Sequence, residues 1–77
     1  MTIDMARFRE CVIRSLKLRS GEYRHDLQIG EIEQWDSVAH LELMSEIERE
    51  FGIRFDLEDM ASLTSLPELL RRLEQAR

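Results

Sequence analysis

Wherever apolar residues recur regularly in this chain, they do so at three- and four-residue steps, which confines it to helices. Met5, Phe8, Val12 and Leu16 form the first such stripe and predict a helix over about residues 4–17. Cys11 falls on the same face and reads as a small buried hydrophobe. A second helix is predicted over 37–51, with Gly52 in the position that ends helices. Asp56 with Asp59 suggests a capped short helix over 57–61. In "TSLPELLRRLEQ", Leu66, Leu69, Leu70 and Leu73 make the stripe of a fourth helix over 66–76. Ser65 and Glu68 read there as a capping box, and Pro67 is tolerated in the first turn. Residues 18–36 form a long connection, broken at Ser20-Gly21 and again near Gly30, with room for a short helical turn. Tyr23, Leu27, Ile29 and Ile32 tack it onto the rest. The expectation is an all-α chain, one domain over 1–77, built as a four-helix bundle of three main helices and one short one.

At 77 residues the core is only just sufficient, and a two-lobed enzyme with a deep cleft does not fit. Charged residues make up 35% against 43% hydrophobic, which is a globular balance and not a disordered one. The lone cysteine, Cys11, rules out an internal disulfide framework and suits a reducing compartment. No apolar run approaches the roughly 20 residues that span a bilayer, and "MTIDMARFRE" has no secretory apolar core. A cytoplasmic monomer without membrane attachment is expected. The net charge of −5 argues against nucleic acid, whose phosphates need clustered cations. Charge is also uneven: Glu22 to Asp59 holds twelve carboxylates against Arg24, Arg49 and Arg54, so an acidic body awaits a basic partner.

The second helix can be read residue by residue by advancing about 100° per position from Ser37. Leu41, Leu43, Met44, Ile47 and Phe51 then share one arc, which is expected to be buried. His40 lies inside it and reads as a packed, hydrogen-bonded residue. Val38, Glu42, Ser45 and Arg49 fall on the other side, and Glu46 lies well away from the stripe. Val38 is thus an aliphatic side chain on a charged face, beside a hydroxyl, where a small apolar anchor inside a charged rim suits partner contact. Asp36 and Ser37 are both good N-cap residues, so either could serve the free N–H groups of the first turn. The other use of Ser37 is to carry a covalently attached phosphate group, which a helix N-terminus favours through its dipole.

Two chemical rivals fare poorly. His40 sits three residues after Ser37, at the spacing of a general base, but the helix sends it toward the core, and no G-x-S-x-G elbow is present. Cys11, His25 and His40 have no metal-ligand spacing, and "DLEDMASLTSLPE" lacks the glycine and acidic pattern of a calcium loop.

The stretch "DSVAHLELMSEIEREFGIRF" resembles the prosthetic-group segment of acyl carrier proteins. Asp36, Ser37, Val38, Glu42, Leu43, Glu48 and Phe51 match that family's pattern in register. The helix order, the long first loop and "LTSLPELL" extend the likeness along the chain. The resemblance implies that Ser37, preceded by Asp36, is esterified by 4′-phosphopantetheine. A separate Mg²⁺-dependent phosphopantetheinyl transferase would supply the group from coenzyme A. It implies no catalytic activity of the chain's own, and a terminal thiol holding acyl or aminoacyl thioesters for loading enzymes and synthases with basic docking surfaces. It makes Val38, Leu41, Glu42, Ser45, Glu48 and Arg49 the surface those partners read. Ser45 and Arg49 depart from the family pattern, where a larger apolar residue and a carboxylate are common. Trp35 and "GIRF" look more like discrete carriers of specialised pathways such as polyketide assembly than like general fatty-acid carriers. Asp-Ser in place of Gly-His-Ser favours the acyl over the peptidyl carriers of nonribosomal pathways. A helical adaptor without a prosthetic group is the remaining rival, since it would share the fold and the acidic face.

Overall fold

Every helix starts at a side chain able to take up free backbone N–H groups, and this sets the frame of the molecule. The structure is a computed structural model and describes residues 3–75. Helix α1 spans Met5–Leu16, with the Asp4 carboxylate accepting from the Ala6 and Arg7 N–H groups at 3.0 and 3.2 Å. It ends at Lys17, which adopts the left-handed conformation and donates its N–H to the Ile13 carbonyl. Helix α2 spans Ser37–Phe51 and closes at Gly52, also left-handed, where the Gly52 N–H reaches the Glu48 carbonyl at 2.9 Å. Helix α3, Leu57–Ser62, is held by reciprocal Asp56 and Asp59 bonds of 2.7 and 3.3 Å.

Helix α4 spans Leu66–Gln75; position 76 of the expected helix lies outside the described residues. Its cap differs from the expected box. Glu68 donates its N–H to Ser65 Oγ, but its carboxylate accepts from the Ser65 hydroxyl and the Thr64 N–H.

The core is drawn from α1 (Phe8, Cys11, Val12, Leu16), α2 (Leu43, Met44, Ile47) and α4 (Leu66, Leu69, Leu73). Leu27, Trp35 and Phe55 complete it from outside the helices. Full burial of such side chains stabilises by about 1.5–3 kcal/mol each before entropy is charged. Helix α3 buries no residue of its own. Two expected core residues are exposed. Met5, 47% exposed, is the first residue of α1 and lines a shallow surface depression with Ala6, Arg9, Tyr23 and His25. Leu41 is 56% exposed, because the buried stripe of α2 narrows to His40, Leu43, Met44 and Ile47. Leu41 lies about 100° of helix rotation from His40, past the edge of that stripe. Phe51 is half-buried against Phe8, with ring centroids 6.5 Å apart.

Among the described residues, the long loop forms no helical turn. It advances through hydrogen-bonded turns that close at Glu22, Leu27, Glu31 and Trp35. Its middle is stitched to the segment before α4 by Ile29 N–H to Thr64 O (2.8 Å) and Leu66 N–H to Leu27 O (2.9 Å). These bonds satisfy backbone groups beside the core and bring the loop back to the head of α2. No described helix is long and apolar enough to cross a membrane.

Candidate functional site at the head of α2

The head of α2 divides its labour between neighbouring residues. The Asp36 carboxylate accepts from the Ala39 N–H at 2.8 Å, and its backbone carbonyl accepts from the His40 N–H at 2.8 Å. Asp36 is therefore the cap, and Ser37 is the first helical residue. The choice between the two caps, open in the sequence, is settled by extended backbone at Asp36. Ser37 is exposed and its hydroxyl makes no hydrogen bond among the described residues, so a primary alcohol stands free at the positive end of a 15-residue helix.

Behind it lies a rigid support. Trp35 is fully buried, and its indole N–H donates to His40 Nδ1 at 3.1 Å. The opposite nitrogen, Nε2, lies 3.0 Å from the Met60 carbonyl. Since Nδ1 accepts, the proton belongs on Nε2, which donates to that carbonyl. The two rings stack with centroids 6.0 Å apart at 29°. One histidine thus ties the loop, the first turn of α2 and helix α3 together. Both its nitrogens are committed, so it has none left to activate Ser37 as a nucleophile. The hydrogen-bonded packing expected of His40 is present. The part played by Trp35 was missed; the only tryptophan, five residues before a buried histidine, was the available signal.

The outer face of α2 presents Val38 at 68% exposure and Leu41 beside it, with Glu42 and Ser45 also exposed. On the short neighbour α3, Leu57 is 89% exposed, an apolar position that the sequence reading did not single out. Arg49 is exposed but engaged with Glu46 at 2.9 Å. Glu48 is half-buried, and its carboxylate accepts from the Phe55 N–H at 2.7 Å, bracing the turn between α2 and α3.

Cys11, the only thiol, is buried in the core, where loss of hydration pushes its pKa above the ordinary value, with Ser15 and Arg14 offsetting only part of the effect. It is poorly suited to covalent chemistry. No three His, Cys, Asp or Glu side chains among the described residues are grouped to share a metal ion.

A phosphodiester fits this site. The acceptor oxygen is exposed, the capping duty falls on its neighbour, and the helix terminus favours an anion. A family model described as the phosphopantetheine attachment site matches residues 34–73, from the residue before Trp35 to the last core leucine of α4. Neither the curated proteins nor the solved structures contain a match to the chain. The matched segment takes in more than half of the chain, with the free hydroxyl, its acidic cap and the supporting tryptophan–histidine pair. This chain therefore belongs to the phosphopantetheine-attachment family of carrier domains, whose prosthetic group is covalently bound 4′-phosphopantetheine.

Proposed function

We propose that Ser37 is the attachment residue and that the chain is a discrete acyl carrier protein with no catalysis of its own. The observation that carries this reading is the division at the head of α2: Asp36 caps the helix and leaves the adjacent hydroxyl exposed. The Ser37 oxygen is esterified from coenzyme A by a separate phosphopantetheinyl transferase. When bound, the group supplies a terminal thiol for thioester linkage of acyl cargo. The chain supplies a stiff post and a tether, which raise the effective concentration of cargo at a docked enzyme.

Val38, Leu41, Glu42 and Ser45 form the surface offered to partners, with Leu57 as a further apolar contact from α3. Glu42 and the acidic surroundings of α2 favour transferases and synthases with basic docking faces. Asp-Ser at the site supports acyl rather than aminoacyl cargo. Trp35 and the departures at Ser45 and Arg49 support a specialised pathway of the polyketide kind, in the cytoplasm, over general fatty-acid synthesis.

The test is incubation with coenzyme A and a promiscuous phosphopantetheinyl transferase, read by intact mass and peptide mapping. The wild-type chain should gain one prosthetic group on Ser37. Ser37→Ala should gain none while keeping its helical content and melting point. An unmodified wild-type chain across several transferases would replace this reading with that of a helical adaptor.

A further inference from the structure

We propose that a depression between the first half of α1 and the loop after it is a second docking surface, which takes a protein segment carrying a carboxylate beside an apolar side chain. The inference does not rest on the attachment at Ser37. It starts from a charge that the α2 surface leaves unused. Residues 1–20 carry five cations, Arg7, Arg9, Arg14, Lys17 and Arg19, against Asp4 and Glu10. Arg7 and Arg14 share one side of α1 and pair with Glu50 and Glu46 of α2. Arg9 follows Arg7 by two residues, about 200° round the helix, and so faces the other way. There its guanidinium lies over the Tyr23 ring, 5.5 Å from the centroid, and forms no ion pair among the described residues.

Arg9 and Tyr23 line the depression with Met5, Ala6 and His25, around a volume of about 470 Å³. No carboxylate lines it among the described residues, whereas carboxylates line the depressions beside the outer flank of α2 and beside α4. On a chain of net charge −5 this is a cationic spot. Of the acidic neighbours in sequence, Asp4 is engaged with the Ala6 and Arg7 N–H groups, Glu22 with the Arg19 N–H and Gln34, and Asp26 with Arg24. Glu10 lies about 100° further round α1 than Arg9. Tyr23 is half-buried and packs against the core, so the floor is held in place, and Met5 adds an exposed apolar wall. A carboxylate meets the planar donors of Arg9, and an apolar side chain next to it meets Met5 and Tyr23.

The class of occupant follows from what the lining lacks. Met5, Ala6, Arg9 and His25 are all exposed, so the depression does not wrap a small molecule as ligand pockets do. A lipid surface calls for about four to eight clustered Lys and Arg, and here one arginine and one histidine face outward. A segment of another protein needs only a paired charge and an apolar contact inside a larger interface. The location adds a consequence. Arg7, next to Ala6, pairs with Glu50, which lies about 20 Å along α2 from Ser37. No residue of α2 lines the depression. A partner seated there leaves Ser37 and the Val38 face open, so one protein can retain the chain while another works at the head of α2.

The experiment titrates the ¹⁵N-labelled full chain with a synthetic peptide of Leu-Phe flanked on each side by two glutamates. The amides of Met5, Ala6, Arg9, Tyr23 and His25 should shift saturably, and those of Val38 and Glu42 should stay. Serines in place of Leu-Phe, or lysines in place of the glutamates, should leave this face unmoved. Arg9→Glu should keep the wild-type circular dichroism spectrum and lose the shifts, whereas Ser37→Ala should retain them. Absent shifts with the glutamate peptide, equal shifts with the lysine peptide, or unchanged shifts in Arg9→Glu overturn the proposal. Vesicles of phosphatidylserine and phosphatidylcholine should leave these signals sharp. Broadening by the vesicles without a response to the peptide replaces the protein partner with a membrane surface.

Discussion

Replacing Trp35 with phenylalanine tests whether the head of α2 is held by the buried tryptophan–histidine pair. The substitution removes the indole N–H and leaves His40 Nδ1 without its donor in a site only 5% exposed. Stranding a buried acceptor costs about 1–3 kcal/mol. The smaller ring also leaves part of a fully buried volume empty, adding about 1–2 kcal/mol. The sum is about 2–5 kcal/mol, and in a chain of this size each kcal/mol moves the melting point by about 4–8 °C. Thermal unfolding followed by circular dichroism should therefore show a drop on the order of 10–30 °C. The bond itself can be isolated with His40→Leu and the double variant. Because the two side chains are in contact, the cycle should return a coupling of about 1 kcal/mol or more. Nitrogen NMR of the wild type should show His40 as the Nε2–H tautomer. A melting point within about 2 °C of wild type, together with a coupling near zero, would refute the reasoning.

Other parts of the structure make separate predictions. Val38→Asp should change stability by less than about 0.5 kcal/mol, since the side chain is 68% exposed. The same variant should slow modification by the transferase, as stopped assays of intact mass would show. Glu42→Lys should lower the rate of that modification at low salt and approach wild type as salt rises, because an exposed rim charge acts on encounter and is screened. Cys11 should resist alkylation in the native chain at neutral pH, and thiol reagents should label the loaded arm alone. The same burial makes a pH prediction. The folded thiol titrates above its ordinary value of 9.0, so its contribution to stability is complete below that pH and fades as pH rises toward the folded value. Urea titrations should show that alkaline loss reduced in Cys11→Ala.

Local rules were legible in the chain because they depend on neighbours in sequence. The cap at Asp56 and the stop at Gly52 each involve atoms within a few residues, so composition and spacing reveal them, whereas the cap at Asp4 was not read and the choice of Asp36 over Ser37 needed the backbone at that position. The candidate site was legible for the same reason, since Asp36, Ser37 and Val38 lie on one helical turn. The border positions of α2 were not legible. Helical angles place Leu41 and Glu48 between the buried and exposed faces, and only the neighbouring elements decide which way each goes. No element covers Leu41, whereas the Phe55 N–H takes up the Glu48 carboxylate.

The sequence alone determined that this chain folds as helices and places an Asp-Ser pair at the head of the second, since periodicity and capping candidates are written in consecutive residues. Tertiary structure decided how that serine is supported and what surrounds it. The Trp35–His40–Met60 chain joins a loop and two helices. Its far link, from His40 to a carbonyl twenty residues on, arises from packing of α3 against the head of α2, where burial and hydrogen-bond geometry, not local propensity, select the partner.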